Sequence, residues 1–518
     1  MRIHKISVGL AAIAIGFASF ADYHKGKGSD WPMWGRTPDR NMIGEAKNLP
    51  VNVEPGDYVS GTDDIDPSTT ENVLWVAKLG SQAYGNVTVA GGKVFAGTNN
   101  ESPRDPKQLG DRGVLMAFNE ENGEFEWQLL IPKLGAGKVS DWEYVGLCSS
   151  PAVEGNKVYV VTNRGEAVCL DLNGLTNGND GPFQDEANYM SADGNPVELS
   201  NGHADILWIY DMREELGVFP HNVSSCSPLV VDDLLYVSTS NGVDWSHNNI
   251  PAPFSPALVA LNKTTGELVG EEASQVSERV LHASWSSPAY GDINGTPLII
   301  WGGGDGICYG FEPKPVVGSE GYEILNEVFR YDANPPEYRM KEGKSIKYAT
   351  YPGPSEIIST VVVHDNKAFA LIGQDPEHGD GVGMLSAIDA SMRGDISGKA
   401  IWTYKDIGRT VSTPSIYNGM IFVAEYDGDI HCLDLDTGKV NWVHATDSRI
   451  WGSTLVADGK VYLPNEDGQL VVLAATKEKE ELATVEFFTP IYSSPVVAKD
   501  VLYVATQTHL YALKRGGK

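Results

Sequence analysis

Three stretches near the C-terminus decide the fold: TVSTPSIYNGMIFV (410–423), WGSTLVADGKVYL (451–463) and IYSSPVVAKDVLYV (491–504). Aligned, they bring Pro414, Thr454 and Pro495 into register, at spacings of 40 and 41 residues. Each has a small-residue strand, a tight Gly or Asp turn, and a β-branched and aromatic strand. In the unit that begins at 410, a third strand follows a glycine in GDIHCLD (428–434). The DTGK turn (436–439) then leads into a fourth strand ending in Trp442. Four short strands with Gly turns at this period predict one blade of a β-propeller.

Working outward, the unit recurs upstream with longer insertions, its first strands beginning around Tyr84, Val145, Val223, Ala283, Glu356, Val411, Trp451 and Tyr492. The expectation is an all-β fold, an eight-bladed propeller of four-stranded antiparallel blades. Fourth strands end in a bulky residue (Trp127, Trp208, Phe329, Trp402, Trp442, Phe487), and the third unit, near Leu268, is the weak one. A recurring outer-strand Trp packs between neighbouring blades rather than holding a ligand. The last unit stops after its third strand, LYAL (510–513), while NVLWVAK (72–78) is an orphan fourth strand near the start. Pairing the two completes the last blade and removes exposed edges at the join. One propeller domain is therefore expected over 71–518, with 22–70 an irregular leader packed on it.

The first residues read as a signal peptide, 1–21. Arg2, His4 and Lys5 precede the apolar run Ile6–Phe20, and Ser19-Phe20-Ala21 suits cleavage after Ala21. No later segment is long and apolar enough to span a bilayer, so a periplasmic or secreted protein is expected. The net charge of −30 (39 Lys+Arg against 69 Asp+Glu) argues against nucleic acid and anionic membranes as partners. Five dispersed cysteines form no CxxC, and each falls in a predicted strand as a small buried residue. No P-loop, HExxH, GxSxG or strand–GxGxxG–helix motif occurs.

Strand alternation puts the start of each first strand and the loop after each second strand on one face. That face carries the long loops at 98–113, 241–256 (NGVDWSHNNIPAPFSP) and 374–383 (QDPEHGDGVG). Long loops massed on one face mark a functional surface. The strand starts bring Trp142, Glu143, His221, Asn222, His282, Trp285, Arg409, Trp451 and Tyr492 to its mouth. The loops add Asn241, Asp244, His247, Asp375, Glu377 and His378. Such a funnel suits a planar anionic small molecule, with Arg409 pairing a carboxylate. Asp375, Glu377 and His378 are alternatively a cation site, or residues that fix loop conformation. As mouth residues, Arg409 and Asp375 are expected to tolerate truncation with little loss of stability.

The repeats, with SSPAV (149–153), GNKVYV (155–160) and GDIHCLDLDTGKVNW (428–442), resemble the PQQ-type (pyrroloquinoline quinone) propeller repeat from Asn72 to Leu513. WPMW (31–34), TSNGVD (239–244) and GQDPEHG (373–379) further resemble segments of exported PQQ-like propellers of planctomycete-type bacteria. The repeat is shared by quinoprotein dehydrogenases, which use PQQ and calcium to oxidise alcohols or sugars, and by outer-membrane assembly scaffolds, which bind no cofactor. By resemblance to the dehydrogenases, Asn241 is a calcium ligand. Trp451 or Trp285 is then a floor for the quinone; His221 and Arg409, placed at the mouth by strand alternation, are counted with them as cofactor-binding residues. The family's adjacent cysteines are missing, and the segment expected to carry the catalytic Asp reads HASW (282–285), where His282 is the one candidate base. The resemblance thus implies a ligand- or partner-binding propeller, with a diverged PQQ/calcium-dependent dehydrogenase as the alternative and an enzyme of another class as a third.

Overall fold

The structure, a computed structural model, describes residues 30–346, 353–376 and 381–517. Eight sheets of four or more strands form the blades. Blades one to eight span 88–132, 152–211, 229–272, 289–332, 362–404, 415–445, 455–486 and 496–513, with 73–78 added to the last. Val73–Lys78 pairs antiparallel with His509–Leu513, so the two ends of the chain close the ring as expected.

The first strands are shorter than the repeat suggests. Regular pairing starts at Thr88, Ala152, Leu229, Ala289, Val362, Ser415, Leu455 and Val496, four to seven residues beyond the expected starts. The reason is chemical. Pro151, Pro228, Pro288, Pro414 and Pro495 have no N–H, so the segment before them cannot join a ladder. These approach segments run extended towards the axis instead. Two of the cysteines, Cys148 and Cys226, lie in them and not in strands; the other three are strand residues.

The outer edges of the blades are locked by the aromatic residues. The indole N–H of Trp75, Trp127, Trp208, Trp402 and Trp442 donates to the carbonyls of Glu120, Leu172, Lys263, Leu435 and Thr476 of the following blade, at 2.9–3.3 Å. Turn glycines of the next blade lie flat on three of these rings. A Cβ on Gly123, Gly266 or Gly438 would meet Trp75, Trp208 or Trp402 at 2.5–2.6 Å. The ladder slips by one residue directly beside the aromatic in blades one, two, four, six and eight, a bulge that re-aims the side chain at its neighbour. Blade three has no such aromatic; its fourth strand, Leu268–Glu272, pairs instead with Glu323–Leu325, part of a hairpin lent by blade four.

Residues 31–44 run beneath the axis on the face opposite the long loops. Their backbone and side chains satisfy inner-strand groups of Val89, Val153, Tyr290, Val363, Ile416 and Val456, in six different blades. Arg40, fully buried, donates to the carbonyls of Trp34, Ser227, Pro228 and Pro288. Inner strands would otherwise leave unpaired backbone groups around a central hole.

Candidate functional site

Above this segment the approach segments build a floor. One small polar residue per blade lies at the same level: Asn86, Ser150, Ser227, Ser287, Thr360, Thr413, Ser453 and Ser494. Six backbone N–H groups of this ring donate to the next blade's side-chain oxygen, at 2.6–3.2 Å. Trp34 rises through the centre and donates its indole N–H to Thr360 Oγ1 at 3.0 Å. The axial channel is thereby shut, and what remains is a blind funnel of about 670 Å³.

Its walls are aromatic and carry both signs of charge. Tyr84 and Tyr492 stack at 4.6 Å, and Trp451 stands edge-on to both and to Tyr426. Arg409 and Arg449 lie over the Tyr426 ring, their guanidinium carbons 4.5 and 5.6 Å from its centre, in cation–π geometry. Arg409 also donates to Pro376 O, and Arg449 stands 4.0 Å from Glu466. Glu143, Asp375 and Glu466 supply the negative charge. Burial raises the phenols of Tyr84, Tyr426 and Tyr492, so they enter the funnel as neutral hydrogen-bond donors. Burial likewise pushes the Cys148 thiol up to about 12, which leaves it a poor nucleophile.

The funnel gathers many of the expected residues: Trp142, Glu143, Asn222, Trp285, Asp375, Arg409, Trp451 and Tyr492. Others lie elsewhere. His221 and His282 are buried side by side behind Trp285, with ring centres 4.4 Å apart, and neither lines the funnel. Asn241 is fully buried; its Oδ1 accepts Phe219 N–H, and its amide donates to Ala252 O and Ser277 Oγ. Asp244 accepts from Ser246 and Asn249 and so shapes its own loop. Glu377 and His378 lie outside the described residues. Arg409 is only 6% exposed, so it belongs to the wall of the funnel and not to its exposed rim.

Sequence reasoning missed Trp34, Tyr84, Tyr426, Arg449 and Glu466 as lining residues. A signal for three of them existed. Tyr84 opens the first strand of the first unit, as Tyr492 opens that of the last. Tyr426 and Glu466 come just after the second strands Met420–Ala424 and Lys460–Pro464, the same place as the long loops. Attention to loop length passed over blades whose connection is minimal.

The donors do not fit a calcium-held quinone. Calcium takes six to eight oxygen ligands. The Asn241 oxygen is turned to a backbone N–H, and its neighbours offer imidazole nitrogen. Beside His282 stands one carboxylate, Glu356, whose Oε1 accepts Asp375 N–H. Cys148 has no adjacent cysteine.

A family profile described as "Outer membrane protein assembly factor BamB" matches residues 65–176 and 381–514. The outer membrane protein assembly factor BamB of Shewanella oneidensis is 27% identical over 79 residues, 15% of this chain; the matched segment spans only a fifth of that relative's length. Solved structures of the same fold include BamB from Moraxella catarrhalis (TM-score 0.50, 12% identity, 85% of this chain and 97% of that one). They also include a europium-containing methanol dehydrogenase (0.57, 12%, 94% and 90%). A third is the quinohemoprotein alcohol dehydrogenase ADHIIG from Pseudomonas putida HK5 (0.58, 12%, 95% and 81%). Among the described residues no helix is long and apolar enough to cross a membrane.

Proposed function

Because the chain is an eight-bladed propeller of the PQQ-like repeat family, we propose that it is an exported binding protein holding a small planar anion in its blind funnel. The observation that carries this reading is the pair Arg409 and Arg449 over Tyr426, next to Trp451, in a cavity of about 670 Å³ closed at its floor. Flat aromatic walls bury a ring, and a guanidinium beside them pairs its carboxylate. Export is supported by the basic-then-apolar start of the chain and by the likeness to outer-membrane assembly factors.

The test uses PQQ itself, a planar carboxylate, with and without calcium, on the purified mature chain. Binding that quenches tryptophan fluorescence without calcium, and that weakens at least tenfold in Arg409→Gln, supports the reading. No binding of PQQ or of simpler aromatic carboxylates overturns it. Calcium-dependent binding with alcohol-driven dye reduction replaces it by the dehydrogenase alternative.

A second reading, recognition of an exported protein partner, has its own observation. Tyr144, Trp245 and Phe254 are 55%, 71% and 88% exposed on the long-loop face. Large aromatics in the open are anchors of interfaces. A crosslinked periplasmic partner that is lost in the Trp245→Ala/Phe254→Ala double variant would favour it.

A further inference from the structure

Beside the funnel wall, three histidines from separate segments meet. His221 comes from the approach to blade three, His282 from the approach to blade four, and His247 from the loop 241–256 that arches over both. Their ring centres are 4.4, 5.0 and 5.1 Å apart, and one nitrogen from each lies within 4.8 Å of the other two. His221 and His282 are 1% exposed.

The surroundings orient the rings as metal ligands are oriented. His221 Nδ1 is 2.6 Å from Val243 O. A carbonyl can only accept, so Nδ1 carries the proton and Nε2 carries the lone pair of the neutral ring. The Glu356 carboxylate, fully buried, stands 3.8 Å from His282 Nδ1, an ion-pair distance beyond hydrogen-bond reach. The loop is held tightly in place. Val243 N–H donates to His282 O, His221 N–H donates to Ser240 O, and a Cβ at Gly242 would meet His282 O at 2.5 Å. His247 keeps a positive φ of 56°, a strained conformation for a side chain this size. Trp285 closes the cluster off from the funnel, edge-on to His282 at 4.8 Å and tied by its indole N–H to His221 O and Val223 O.

Three imidazole nitrogens that converge from separate segments match the donor set of a transition-metal ion. The geometry points to a tris-histidine site, His221, His247 and His282, that takes a divalent first-row transition cation, Zn²⁺ foremost, and clips the loop 241–256 to blades three and four. Three imidazoles suit zinc and its neighbours and do not suit calcium or magnesium. The site stands independently of the funnel ligand. It explains why an insertion of this length is placed by two separate approach segments.

The full mature chain, stripped with a chelator, is titrated with Zn²⁺ against a chromophoric chelator, and with Co²⁺ to read the visible bands of a nitrogen-ligated ion. One equivalent is expected. His282→Ala and His247→Asn should each weaken binding at least a hundredfold; asparagine keeps the positive φ at 247, and near-ultraviolet circular dichroism checks that the fold survives. Chymotrypsin reads the loop directly, because Trp245 and Phe254 are exposed on it. Cleavage there should slow about tenfold with Zn²⁺ and be unchanged by Ca²⁺. No stoichiometric Zn²⁺ binding by the folded chain overturns the site. So does zinc retained by folded His247→Asn, which would place it at the Glu425, Asp429 and His431 cluster of blade six. Protection of the loop by Ca²⁺ instead of Zn²⁺ overturns it as well. Loss of PQQ binding leaves it untouched.

Discussion

The outer rim of the propeller and its axis solve the same problem, joining one blade to the next, by different means. At the rim the joint is a large apolar ring with one hydrogen bond: Trp127, Trp208, Trp402, Trp442 and Trp75 each reach a carbonyl of the next blade. At the axis the joint is polar and small, a ring of Ser, Thr and Asn side chains linked through backbone N–H groups, with Trp34 and Arg40 beneath it. The difference follows from room. Blades diverge outward and leave a gap that an indole fills, while strands converge at the axis and admit only short side chains. The funnel lies over the crowded end, because there the approach segments carry polar groups that the ladders do not use up.

Removing the rim joint should cost most. Trp442→Ala leaves a cavity between blades six and seven and an orphaned Thr476 carbonyl, a loss of roughly 3–5 kcal/mol in denaturant unfolding. Removing the axial joint comes next. Arg40→Met deprives the Trp34, Ser227, Pro228 and Pro288 carbonyls of their donor, and roughly 2–4 kcal/mol is expected. Equilibrium unfolding of both variants ranks the two joints; a larger loss for Arg40→Met would make the axis the stronger joint. The smallest effect sharpens the rim alone. Gly438 and Gly459 both have φ near +70°, but a Cβ on Gly438 meets the Trp402 ring at 2.5 Å while one on Gly459 meets nothing within 4 Å. Gly459→Ala should cost about 1 kcal/mol from the backbone conformation alone, and Gly438→Ala about 1–2 kcal/mol more. Equal losses would mean the turn glycine is there for its φ and not for the ring.

The rim was legible because its parts recur at the repeat period, although partners such as Trp75 and Glu120 lie 45 residues apart. A bulky aromatic near the end of the fourth strand recurs in every unit but the third, and periodicity exposes it without any coordinates. Much of the funnel was legible too, since strand alternation fixes which loop ends share a face; Arg409, Trp451, Trp285 and Asp375 meet there. Direction was not legible. Asn241 and His282 sit on the right face by position, yet their side chains turn away from the funnel, Asn241 to Phe219 N–H and His282 to its fellow histidines. Position along a strand says which face a residue approaches, while the side chain's aim within an irregular approach segment depends on contacts more than 20 residues away in sequence.

The sequence by itself determined the number of blades, the closure of the ring by Val73–Lys78 and the face on which the loops gather, because each depends on local pattern repeated at a fixed period. Only the tertiary structure decided that residues 31–44 shut the axis, that Arg449 and Tyr426 join Arg409, and that His221, His247 and His282 converge. Those meetings bring together residues with no shared period, and they exist only once eight sheets have curved around one axis and pulled distant segments into the same few ångströms.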